Sequence, residues 1–149
     1  MKVEFRRDSA AAEPYVLVCA KERNQAVDAL MQSIAQAPVI AAYSERGEEL
    51  LMQREIKRIY TLQRRVLADT DRGTFALRER MYELEEKLDQ TEFVRISNSE
   101  IVNKRRIRRL DFSLAGTIRL VFRDGAETYV SRRYVPRIRS IFEGGGKGC

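Results

Sequence analysis

The 149-residue chain contains no histidine and no tryptophan, only two cysteines and only three prolines. Without histidine there is no imidazole to act as general base, proton switch or metal ligand. Two thiols without histidine do not complete a tetrahedral zinc site. Cys19 lies in an apolar run and Cys149 ends a Gly-rich stretch, and both read as free thiols of a reducing compartment. No long apolar run is present either. The longest uncharged stretch, residues 29–44, is interrupted by Gln32, Ser33, Gln36 and Pro38 and falls short of a membrane span. The first residues, MKVEFRRD, lack the apolar core of a signal peptide, so a cytoplasmic protein is expected.

What the chain does have is charge, and it is unevenly placed. Of 28 Lys+Arg and 22 Asp+Glu, residues 1–45 carry five basic and six acidic side chains, and residues 46–90 carry ten of each. Residues 91–149 carry thirteen basic and six acidic, so the whole net charge of +6 arises there. Such a concentration attracts polyanions, nucleic acid before anionic membrane. A solvated basic face with no partner explains the charge equally well.

No catalytic constellation is visible. Glu48-Glu49 and Glu85-Glu86 are adjacent pairs whose side chains diverge on either a helix or a strand. Gly144-Gly145-Gly146-Lys147 fails as a phosphate loop. A P-loop requires Gly where Ile141 stands and Ser or Thr where Gly148 stands. No enzymatic activity, cofactor, metal or small-molecule substrate is expected. About 45 residues precede the β-rich part, too few for a doubly wound receiver module.

Periodicity predicts strands at 2–6 and 15–20, a helix at 24–36 capped by Asn24, and a strand at 39–43. The helix carries Val27, Leu30, Met31 and Ile34 on one stripe, and Pro38 stops it. Residues 1–45 therefore read as a small β-β-α-β extension. Beyond Gly47 the pattern is mostly β, with strands at 49–53, 57–63, 65–69, 74–76, 93–96, 106–112, 117–122 and 126–130. Asp124-Gly125 marks a tight hairpin. Leu77, Met81, Leu84 and Leu88 form a helical stripe, and Ser131 is placed to cap a last helix reaching Phe142. Pro136 argues that this helix starts later than Ser131. Residues 143–149 read as a disordered Gly-rich tail. Phe112, Phe122 and Tyr129 suit core strands better than a base-stacking platform, which disfavours RNA.

Residues 81–88 (MYELEEKL) and 93–103 (FVRISNSEIVN), followed by Asp124-Gly125 and then Tyr129-Val130-Ser131-Arg132-Arg133-Tyr134, resemble the signature of the LytTR (LytR/AlgR-type) DNA-binding domain. The resemblance covers about residues 45–142, and the shorter N-terminal piece is similar to the extension of standalone regulators without a receiver. It implies a mainly β (α+β) fold of three antiparallel sheets with short helices, whose loops enter the grooves of double-stranded DNA at paired direct repeats. By position it implies base contacts from Arg64, Asn98 and Arg133. Arginine pairs bidentately with guanine, and asparagine with adenine. Arg65, Arg95, Ser97, Lys104, Arg105 and Arg132 are the implied backbone contacts. Ser97 and Asn98 equally suit the cap of a short helix starting near Ser99, and Asn103 reads as structural. A homodimer is implied, with residues 1–45 serving dimer contacts or docking an inhibitory membrane protein. The competing reading is a non-enzymatic protein-interaction module whose basic face is incidental.

Overall fold

The computed structural model describes residues 1–12, 15–35 and 39–147, and the side chains of all of these except 35 and 143–147. The chain divides into two compact units, Met1–Ala37 and Pro38–Cys149.

In the first unit, α1 spans Gln25–Ala35. Asn24 caps it as expected, its Oδ1 accepting from Val27 N at 2.9 Å. The two strands expected at 2–6 and 15–20 do not form. Each has the composition of a strand, but a strand is stable only in a ladder, and neither finds one among the described residues. Val3, Phe5, Tyr15 and Leu17 are left exposed. Pro38 lies outside the described residues.

The second unit begins earlier than position 46. β1 (Val39–Ser44) pairs along its length with β2 (Gly47–Met52), and Tyr43 pairs with Ala76 of β5 (Gly73–Leu77). The strand assigned by sequence to the N-terminal extension thus belongs to the β-rich unit, because its alternating face needs that sheet to bury Ile40 and Ala42.

β3 (Ile56–Leu62), β4 (Arg65–Thr70), β6 (Phe93–Ser97) and β7 (Glu100–Asn103) complete a seven-stranded sheet, ordered β2-β1-β5-β4-β3-β7-β6. β8 (Ile107–Asp111), β9 (Ile118–Phe122) and β10 (Glu127–Val130) form a three-stranded sheet. Two antiparallel sheets therefore replace the three expected, because β3 pairs with both β4 and β7 and joins them into one. β7 also excludes the short helix near Ser99. Gly125, at φ +92, closes the expected Asp-Gly hairpin between β9 and β10.

The Leu77, Met81, Leu84, Leu88 stripe is buried throughout, but α2 spans only Met81–Lys87. Leu77 is held in β5 by its pairing with Val66, so the chain turns helical only afterwards. α2 covers a core that includes Ile40, Leu51, Ile59 and Phe75. A second core joins Val94, Ile96 and Val102 to Ile118, Leu120 and Phe122 of β9 and to Ile138 of α3 (Val135–Lys147). A 3-10 turn at Arg132–Tyr134 precedes α3. Pro136 thereby falls in the first turn of α3, where no N–H is missed. Ser131 makes no side-chain cap bond. α3 continues past Phe142 through Gly144–Lys147, part of the expected tail, and Cys149 lies outside the described residues. Tyr129, expected in the core, is 54% exposed.

Leu84 is fully buried, so Leu84→Ala is expected to destabilise the fold by about 2–5 kcal/mol in urea denaturation, while Tyr129→Ala changes it by less than about 0.5 kcal/mol. The fold is also expected to lose stability in acid. Hydrogen bonding from Arg106 holds Asp71 below the ordinary carboxylate range, and Lys57 does the same for Asp124. A carboxylate depressed in the folded state adds stability that is present above its unfolded pKa and lost as pH falls through the folded one, here below about pH 4. Asp71→Asn is expected to shrink the difference between urea midpoints measured at about pH 6 and about pH 3.

Candidate nucleic-acid interface

Strand direction decides which loops share an end of the molecule. β3 runs toward its turn with β4, and β7 starts beside that turn because Tyr60 pairs with Glu100. Thr61 N donates to Ser99 O at 2.9 Å, joining the β3–β4 turn to the β6–β7 turn. Ser131 N donates to Ile96 O at 2.9 Å and brings the turn after β10 to the same place. Arg64, Asn98 and Arg133 occupy those three turns, so the residues picked out by position converge on one edge.

The β3–β4 loop has two residues, since Leu62 pairs with Arg65 across it. Gln63 and Arg64 sit at φ 50 and 65, the left-handed region at both central positions of a type I′ turn. Asn-Gly adopts that turn readily, whereas Gln-Arg does so against a cost of about 1–2 kcal/mol per residue. The strain leaves an exposed arginine at the tip of the hairpin.

Asn98 is exposed but held. Its Oδ1 accepts from the Tyr134 hydroxyl at 3.1 Å, linking the β6–β7 turn to the Arg132–Tyr134 turn. Its carbonyl accepts from Arg95 Nη2 at 2.7 Å, and Ser97 O accepts from Arg95 Nε at 3.0 Å. Arg95 Nη1 reaches Glu85 Oε2 at 2.7 Å. The Arg95 side chain, 16% exposed, is committed on all three nitrogens, so it braces the turn from inside instead of facing a phosphate. Glu85 also pairs with Arg137 at 3.4 Å and so ties the β6–β7 turn and α3 to α2. Ser97 Oγ accepts from Ser99 N at 3.2 Å within the turn. The Arg132 side chain lies over Gly116, where an added Cβ would meet its Nε at 3.3 Å.

Lys104 and Arg105 do not join this edge. They follow β7, whose far end pairs Asn103 with Phe93, roughly 15–20 Å along the strand from Asn98. Arg105 there holds Glu92 at 2.5 Å. Neighbouring cations at that end are likewise paired, Arg106 with Asp71 and Lys57 with Asp124. At the edge where the three turns meet, Arg64, Arg65, Arg132 and Arg133 have no carboxylate partner among the described residues.

Sequence reasoning missed Tyr134, Glu85 and the bracing role of Arg95. The Arg95 signal was present, since an arginine alternating with buried Val94 and Ile96 sits two residues from the turn it clamps. Nothing in the sequence pairs Tyr134 with Asn98 across 36 positions.

The model of the LytTr DNA-binding domain matches residues 49–143. Uncharacterized HTH-type transcriptional regulators of Staphylococcus aureus strains MSSA476 and NCTC 8325 are each 30% identical over 142 residues, covering 93% of this chain and 96% of theirs. A match of that extent takes in part of the N-terminal unit as well. A LytTr DNA-binding domain from Bacillus cereus superposes with a TM-score of 0.66 at 20% identity, over 68% of this chain and 94% of its own. The chain belongs to the LytTr DNA-binding domain family, and it is a DNA-binding transcriptional regulator. Among the described residues each pair of successive α-helices is separated by strands, so none forms a helix-turn-helix. Among the described residues no helix is long and apolar enough to cross a membrane.

Replacing Gln63-Arg64 by Asn-Gly is expected to relieve the turn and raise unfolding stability by about 1 kcal/mol or more, read by urea denaturation.

Proposed function

We propose that this regulator reads a defined duplex sequence with Arg64, Asn98 and Arg133, two copies binding paired direct repeats as a homodimer. The observation that carries this reading is the convergence of three turns, from both sheets, on one edge where Arg64, Arg65, Arg132 and Arg133 have no carboxylate partner among the described residues. Arg64 and Arg133 suit guanine O6 and N7, and Asn98 suits adenine or another acceptor in the major groove. The Tyr134 hydroxyl takes one lone pair of Asn98 Oδ1, which orients the amide and leaves Nδ2 free to donate. Arg65, Arg132 and the Ser97 segment would then meet phosphates and set the register. Arg95 positions Asn98, and Lys104 and Arg105 lie too far away to touch the same duplex face.

The apolar side chains left exposed in Met1–Ala37 support a role in contact between copies, or in docking an inhibitory membrane protein. The protein would work in the cytoplasm and without enzymatic activity, its effect arising from occupancy of DNA alone.

Selection from a random duplex library should enrich one motif. On that site Asn98→Ala and Arg133→Ala should each lose about 1–3 kcal/mol in fluorescence anisotropy, with nonspecific binding changed much less. A motif bound equally well by both variants would remove these residues from base reading. No motif at all would remove sequence-specific reading.

A further inference from the structure

The middle third of the chain has no net charge, yet it contributes its own arginines to the recognition edge. β5 runs antiparallel to β4 and ends where Leu77 pairs with Val66, beside the β3–β4 turn. The link Arg78-Glu79-Arg80 between β5 and α2 therefore emerges next to Arg64 and Arg65. The four arginines line one open cleft together with Tyr43 and Thr61. Glu79 also lines it, but its carboxylate is held by Lys87 Nζ at 3.0 Å. Arg80 has no carboxylate partner among the described residues. Arg78 lies 5.3 Å from the Tyr43 ring centre and holds Glu48 at 2.8 Å in a pair whose side chains are 70% and 63% exposed. A pair so exposed is weak and yields readily to a stronger anion.

We infer that Arg78 and Arg80 bind the phosphate backbone of the same duplex, extending its footprint from the β3–β4 turn onto the β5–α2 link. The cleft gathers arginines from two segments, and among the described residues no carboxylate pairs with Arg64, Arg65 or Arg80. It is open to solvent, and it continues the edge that carries Asn98. It also supplies positive charge where Lys104 and Arg105, at the opposite end, cannot. Phosphate contacts of this kind add affinity and register without reading sequence.

This inference rests on the duplex-binding reading above, and the salt dependence of affinity separates the two. Wild type, Arg78→Gln, Arg80→Gln, the double variant and a Lys104→Gln/Arg105→Gln control would be titrated on the selected site and on a scrambled duplex at several salt concentrations. Each neutralised phosphate contributes about 0.9 to the log–log slope. The double variant should therefore lose about 1.8 of slope on both duplexes, with the base preference intact. Arg80→Lys should restore most of the Arg80 share, and the control should keep the wild-type slope. A double variant with the wild-type slope, while wild type still selects its motif, would overturn the inference and leave the functional reading standing. A change in the preferred bases would overturn it too, since the pair would then be reading sequence. If wild type selects no motif, the functional reading falls, and the slopes on the scrambled duplex still decide whether these arginines meet phosphate.

Discussion

Glu100 is the point on which the recognition edge stands. It is 9% exposed, and its two carboxylate oxygens are held from different sheets. Thr128 of β10 donates to Oε1 at 2.7 Å, and Arg58 of β3 reaches Oε2 at 3.3 Å. Arg58 is itself shared with Asp69 of β4 and lies 4.6 Å from the Tyr60 ring centre. A buried carboxylate left without partners is costly, so these groups hold one arrangement. Glu100 is also the first residue of β7, immediately after the turn that presents Asn98. At the other end of that short strand, buried Asn103 donates from Nδ2 to Ile56 O at 2.9 Å and accepts from Arg105 N at 3.0 Å. The strand beneath the central recognition turn is thus anchored at both ends.

The anchoring matters for the proposed reading, in which loops and not a helix face the DNA. A recognition helix brings its own rigidity, whereas a loop that is free in solution has to be ordered on binding, at a cost in affinity. Here Arg95 clamps the two carbonyls of the β6–β7 turn, Glu85 holds Arg95 and Arg137 together, and Tyr134 fixes the Asn98 amide. The β3–β4 turn is held by its two-residue length, and it keeps a strained arginine where glycine would sit more easily.

Charge is organised along the strands rather than along the sequence. At one end of the large sheet Lys57, Arg105 and Arg106 each have a carboxylate partner. At the other end Arg64, Arg65, Arg80, Arg132 and Arg133 are unmatched among the described residues. Ordering by chain thirds located the basic excess after residue 90, but the edge draws on both sides of that boundary. Several acidic residues of the middle third are taken up by other cations, Glu49 and Glu55 by Arg72 and Glu79 by Lys87.

Much of this protein was legible locally. Alternation marked most strands of the second unit to within a residue or two, Asp124-Gly125 and Asn24 marked a turn and a cap, and the Leu84 stripe marked a buried helix. Those features depend on neighbours a few positions apart, and so do the turn positions of Arg64 and Asn98. The failures share a cause as well. Residues 2–6 and 15–20 look like strands, and residues 39–44 looked like part of their extension, because composition cannot say which ladder a strand joins. The resemblance sets Arg95, Lys104 and Arg105 beside Arg132 as backbone contacts, whereas in space Arg95 braces a turn and the other two follow the far end of β7. Local sequence determined where the chain extends, turns and coils, through periodicity and backbone preference. Only the tertiary structure decided which turns share an edge and which arginines keep a partner, because strand pairing and ion pairing join residues that the chain holds far apart.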